Sequence, residues 1–219
     1  MAELSKDCIY YTSNRLDPKI MLACQQQLRK AFDGEIVSVS LRPIDFGDKR
    51  IVLDGEASYL TMFREILAGL KASTADIVYF TEHDCLYDES NFTFTPSDKN
   101  KFYYNLNWWK IGRGDLAVQW GAVQVSGLCC YRELAIKFYK ERIANFNPDN
   151  FDRKFEPTVE TEYETWWSEK PMIDIRHQTN TTYNKWKLEH FRDKSTAVNF
   201  IETTIDQIKD WPELNDILR

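Results

Sequence analysis

Apolar residues recur in this chain at two different spacings, and the spacing changes along its length. From Asp7 to Tyr11, "DCIYY" is a short apolar and aromatic run that reads as a strand. The polar stretch "TSNRLD" leads into Pro18, and proline is tolerated in the first turn of a helix, so a helix is expected from there to about Phe32. Gly34 stops it, and "EIVSVSL" reads as a second strand. Tyr59, Met62, Phe63, Ile66, Leu67 and Leu70 then fall at spacings of three and four, which predicts a helix with one apolar face. It runs into another compact strand, Asp76 to Phe80. Strand, helix, strand, helix, strand in that order predicts a parallel sheet with right-handed crossovers.

Beyond residue 100 the pattern is less regular. "KFYYNLNWWKI" and "LAVQWGAVQVSG" read as strands, with "GRGD" as a turn between them, and a helix follows with Tyr131, Leu134, Ala135 and Phe138 inward. An acidic helix is expected from near Val159 through Trp166 and Trp167, then a short strand at "PMIDI". Val198, Ile201, Ile205 and Ile208 are spaced for one face of a last helix. The expected fold class is α/β, with a mixed, mainly parallel central sheet flanked by helices. Residues 1–219 read as a single domain, with one half at about 7–90, a second at about 100–190 and a helical tail at 195–219.

Composition narrows the class. A hydrophobic share of 43% beside 28% charged residues is that of a globular protein. No run approaches the roughly 20 apolar residues of a spanning helix, and "MAELSKDCIYY" lacks a basic region followed by an apolar one, so the expectation is a cytoplasmic protein with no membrane span. Five cysteines, with no CxxC pair, argue against a zinc knuckle and a disulfide framework, leaving them as small buried apolar groups. A net charge of -6 gives no overall field toward a polyanion. Seven tryptophans and 11 tyrosines are many for this length, and flat apolar rings with a polar edge suit sugars and bases.

Candidate chemistry begins where the third strand ends, at "TEHD". In an open parallel sheet, ligands bind beyond the carboxyl ends of the strands, and paired carboxylates suit a hard divalent cation. An acid-x-acid triplet by itself more often caps a helix or holds a turn. With its element order, however, the chain resembles the GT-A superfamily of nucleotide-sugar glycosyltransferases, in which such a triplet closes the third strand. That resemblance implies a divalent metal, manganese or magnesium, with Asp84 as ligand, and Glu82 facing the donor ribose or standing behind the metal. It also implies that Thr12, Ser13 and Asn14 in "TSNRLD" meet the donor nucleoside. His177 in "IDIRHQTNTT" would be a further metal ligand, with Asn180, Thr181 and Lys185 near the diphosphate.

An inverting transfer of this kind needs a carboxylate to take the acceptor proton. "EPTVETEYETWW" offers Glu162 first, then Glu160 and Glu156, with Glu164 alongside, against the plain alternative of a solvated acidic helix start. Trp108, Trp109 and Trp120 flank the expected acceptor side as stacking surfaces or as core, and Gly127 in "VSGLCCYR" would allow close approach. The resemblance implies transfer of a sugar from a nucleoside-diphosphate donor to a hydroxyl of a glycan, a small molecule or a modified DNA base. A nucleotidyltransferase and a non-catalytic nucleotide- or carbohydrate-binding module stand as alternatives. The first of these usually carries a glycine-rich, basic phosphate loop after the first strand, and "TSNRLD" has no glycine.

Overall fold

The computed structural model describes residues 4–13, 18–111, 116–119, 121–148, 163–176, 201–208, 210–211 and 214. Its strands are β1 (Lys6–Thr12), β2 (Glu35–Ser40), β3 (Lys49–Val52), β4 (Ile77–Glu82), β5 (Cys85–Leu86), β6 (Phe102–Asn105), β7 (Trp108–Ile111), β8 (Leu116–Gln119), β9 (Leu128–Tyr131), β10 (Tyr163–Trp166), β11 (Met172–Ile175) and β12 (Ile201–Thr204). The described helices are α1 (Pro18–Ala31), α2 (Tyr59–Ala72) and α3 (Arg132–Ala144).

Seven strands form one sheet in the order β10-β6-β9-β4-β1-β2-β3. Only β9 runs against its neighbours, so the sheet is mixed and mainly parallel, as its sequence pattern implies. Side chains alternate across a strand. Cys8 and Tyr10 therefore face α1 and its Leu28, while Ile9 and Tyr11 face Phe63, Ile66 and Leu70 of α2. Covering on both faces is the reason the inner strands are apolar without interruption. The Ser58 hydroxyl caps α2 by accepting from the Thr61 amide at 3.1 Å. Gly69 lets that helix lie close on the sheet, since a Cβ there would stand 2.6 Å from Ile9 Cγ2.

A five-stranded second sheet, ordered β12-β8-β7-β11-β5, grows from the carboxyl end of the first. The chain passes from one to the other after β4, after β6 and after β10. Its apolar side packs Ile111, Ile173 and Ile175 against Ile205, Ile208, Trp211 and Leu214. All five cysteines are buried and free, as expected. Among the described residues, no helix is long and apolar enough to cross a membrane.

Three local expectations are corrected. The acidic helix expected through Trp166 and Trp167 is strand β10 at Tyr163–Trp166, because pairing with the open edge of β6 outweighs the helical spacing of its acids. In the tail, Ile201–Thr204 is strand β12 on β8, and Ile205–Gln207 is a single 3-10 turn. Helix-like spacing there reflects burial of Ile205 and Ile208 under the second sheet, with Ile201 left exposed. "FYYNLNWWKI" breaks at Leu106–Asn107, so its two halves lie in different sheets, and "LCCY" is strand β9.

Candidate active site

From β1 the chain winds outward to β2 and β3, and α2 then carries it back across to β4 on the other side of β1. Strand order thus reverses between β1 and β4, and the crevice beyond such a reversal is where open α/β sheets bind ligands. Tyr11 is in register with Glu82, and Thr12 is the next residue, so the two candidate donor segments leave the sheet side by side.

Glu82 is the last residue of β4. Its Oε1 accepts from the Tyr11 hydroxyl at 2.5 Å, and its amide donates to the Tyr87 hydroxyl at 3.1 Å. Tyr87 donates in turn to the Ser126 carbonyl at 3.1 Å, which ties the strand end to the turn before β9. His83 and Asp84 make the turn into β5. Asp84 is buried, and its carbonyl accepts from the Ile175 amide at 2.8 Å. Ligand atoms of Glu82, Asp84 and Cys85 all lie within 4.8 Å of one another. Burial, then the Asp84 charge, pushes the Glu82 carboxyl up to about 8.

Behind this pair, Lys110 Nζ meets Asp174 Oδ2 at 2.9 Å, both side chains nearly buried and in register across β7 and β11. Arg176 Nε stands 3.7 Å from the other Asp174 oxygen. Burial works against the Arg176 charge, but the carboxylates of Asp174, Asp84 and Glu82 outweigh it and raise its pKa.

The donor set fits a hard cation on its oxygen atoms. Magnesium is commonly held by one or two carboxylates together with substrate phosphates, which is what Glu82 and Asp84 offer. Cys85 does not belong to that set: burial, then Asp84, pushes its thiol well above the ordinary value, so it stays protonated inside β5.

Thr12, Ser13, Glu82 and Asp84 stand at neighbouring strand ends, as their sequence positions implied. His177, Asn14, Asn180, Thr181, Lys185, Glu156, Glu160, Glu162 and Trp120 lie outside the described residues. The strand that ends two residues before His177 is hydrogen-bonded to Asp84. Glu164 does not share a helical face with Glu160; it sits on β10 in an exposed ion pair with Lys101 at 2.7 Å. Trp108 is core, fully buried with its Nε1 donating to the Ala122 carbonyl at 3.1 Å, and Trp109 packs on the second sheet's apolar cluster. At Gly127 a Cβ would stand 2.9 Å from the Asn105 carbonyl, so this glycine serves the packing of its turn on β6.

Sequence reasoning missed Lys110, Asp174, Arg176 and Glu65. A signal for the first two was there: "WWKI" and "MIDI" each place one charge, of opposite sign, inside an apolar strand. Glu65 falls between Met62 and Gly69 at spacings of three and four, within the apolar stripe of α2.

No family model and no curated protein matches the sequence. Among solved structures, a glycosyltransferase involved in glycosylation of the major capsid of PBCV-1 is similar, with TM-score 0.49 and 9% identity over 78% of this chain and 92% of that one. The bifunctional IspDF from Campylobacter jejuni gives 0.45 and 11% over 75% of this chain, which spans only 50% of that one. A nucleotidyl transferase from Methanothermobacter gives 0.38 and 12%, covering 62% and 76%. At these values the likeness carries no argument, and chemistry has to be read from this chain's own residues.

Proposed function

We propose that the chain is a metal-dependent glycosyltransferase that moves a sugar from a nucleoside-diphosphate donor to an acceptor hydroxyl with inversion. The observation that carries this is the Glu82–Asp84 carboxylate pair, within 4.8 Å, at the point where strand order reverses. In this reading Asp84 and His177 hold the cation, Glu82 stands behind it or meets the ribose, and Arg176 adds a fixed positive charge. A bound manganese or magnesium ion supplies the charge that neutralises the departing diphosphate. Thr12, Ser13 and Asn14 contact the nucleoside, and Asn180, Thr181 and Lys185 the phosphates. Glu162 takes the acceptor proton, with Glu160 and then Glu156 next in preference. The acceptor is a glycan, a small molecule or a modified DNA base.

The test is incubation with a panel of nucleotide sugars and manganese, reading release of the nucleoside diphosphate, beside nucleoside triphosphates and a sugar phosphate, reading pyrophosphate. Diphosphate release that disappears in Asp84→Asn is the expected result. Pyrophosphate release instead would make the chain a nucleotidyltransferase, and binding without either product would make it a binding module. Glu162→Gln should keep donor affinity and lose turnover by about 10² to 10⁴, the usual range for a positioned general base.

A further inference from the structure

One carboxyl group near this crevice has no part in the chemistry above. Glu65 lies in the second turn of α2 and is completely buried, at 0% exposure. One of its oxygens, Oε2, accepts from the Ser13 hydroxyl at 3.3 Å, and the carboxyl is also bonded by the Thr12 amide. The other, Oε1, is buried with no hydrogen-bond partner among the described residues. Among the described residues, β1, β2, β3 and α3 pack on α2. Several of their titratable and charged groups have neighbours of their own. Tyr11 of β1 is bonded to Glu82, Lys49 of β3 to Glu35 of β2, and Tyr139 and Arg142 of α3 lie against the Phe63 ring. Burial and the bonds from Ser13 and Thr12 set the Glu65 pKa, and no cation's charge enters.

Dryness without a counter-charge disfavours the anion. The neutral acid is suited to the place: its carbonyl oxygen accepts from Ser13 and Thr12, and its hydroxyl carries the proton on the oxygen that lacks a partner. We propose that Glu65 is a positioning residue for the donor nucleoside, holding the first two residues of the nucleoside-binding loop, Thr12 and Ser13, from beneath, and doing so as a neutral acid. This rests on the reading of that loop given under Proposed function. Burial pushes the carboxyl up to about 8, against the opposing bonds from Ser13 and Thr12. Above that pH the anion has to draw water between α2 and the end of β1, and the loop loses its footing. Donor binding then takes up a proton.

The experiment is calorimetric titration with UDP, GDP, CDP, ADP and dTDP, each with magnesium, from pH 6.5 to 9, on the wild type, Glu65→Gln and Glu65→Leu. Glutamine keeps the accepting oxygen and stays neutral throughout. For the diphosphates that bind, Glu65→Gln should match the wild type at pH 6.5, and the wild type should become about tenfold weaker relative to Glu65→Gln by pH 9, one unit beyond the titration. Glu65→Leu should be about tenfold weaker at pH 6.5, the worth of a buried hydrogen bond lost. Comparing the variants at each pH cancels the titration of Glu82, which is common to all three. Parallel pH curves for wild type and Glu65→Gln overturn this inference and leave the donor site standing. So does a Glu65→Gln protein that binds far more weakly at pH 6.5. Binding of none of the diphosphates by the wild type overturns the donor-site reading and this inference with it.

Discussion

The two ends of the central strands treat charge in opposite ways. At the amino end, Lys6 Nζ donates to the carbonyls of Phe92, Thr93 and Phe94 at 3.1, 3.3 and 3.1 Å. Asp7 accepts from the Ser73 hydroxyl at 2.5 Å, and Asp76 from the amide and hydroxyl of Ser5 at 3.0 and 2.9 Å. Each of these groups is joined to something nearby, and the bonds fasten loops to the sheet. At the carboxyl end, burial and then the neighbouring Asp84 and Asp174 charges raise the Glu82 pKa, and Glu65 keeps an oxygen without a partner among the described residues. Polar groups at the first end are all spent on fastening loops. At the second, the Lys110–Asp174 pair joins strands of the second sheet, while Glu82 stays beside a second carboxylate and Glu65 lacks a partner on one oxygen among the described residues.

The sharpest way to test the contrast is at the seam between the sheets. Asp174→Asn leaves Lys110 buried without its counter-charge and should cost about 3–5 kcal/mol, read by urea denaturation. Replacing both partners, as in Lys110→Met with Asp174→Leu, should recover most of it. A single variant as stable as the wild type would mean that the pair does not hold the seam.

Next in size is a dependence on pH. Glu65 has a folded pKa of about 8 against an ordinary 4.5, so between those values the folded chain keeps a proton that the unfolded chain has lost. Its contribution to stability is complete below the lower value and is lost as pH rises through the upper one, at up to about 1.4 kcal/mol per unit. Thermal unfolding of Glu65→Gln should show that slope removed, with the parallel share from Glu82 remaining.

The two ends should then differ in sign. Ser73→Ala strips a bond from the buried Asp7 and should destabilise by about 1–2 kcal/mol. Asp84→Asn relieves the crowding on Glu82 and should stabilise the metal-free chain by about 1 kcal/mol or less, as substitutions in functional sites often do. Melting without divalent ions measures both, and a loss from Asp84→Asn as large as that from Ser73→Ala would erase the contrast.

Legibility in the sequence followed the same division. α2 and the inner strands were readable because each is covered on a face or faces fixed by its own period, and the TEHD acids because an apolar strand stops abruptly at them. β10 and β12 were not, since a four-residue strand at a sheet edge is decided by its neighbour, β6 or β8, which lies far off in sequence. Lys110 and Asp174 were hidden for a related reason: each is an odd charge in its own strand, and only the register between β7 and β11 makes them a pair. Glu65 stands within the apolar stripe of α2, but a position in the stripe does not by itself show that the carboxyl is fully buried.

The turn at His83–Asp84 has one end in the seven-stranded sheet and the other in the five-stranded one. Its surroundings depend on β11, which joins β5 from far along the chain and pairs on its other side with β7. Contacts of such long sequence separation form slowly, because the intervening chain must first be ordered. The helices α1 and α2, held by hydrogen bonds within their own turns, have no such delay. A refolding chain should therefore regain its helical signal before it gains the affinity for a divalent ion proposed above, and the interval between the two events measures how long the second sheet takes to find its place.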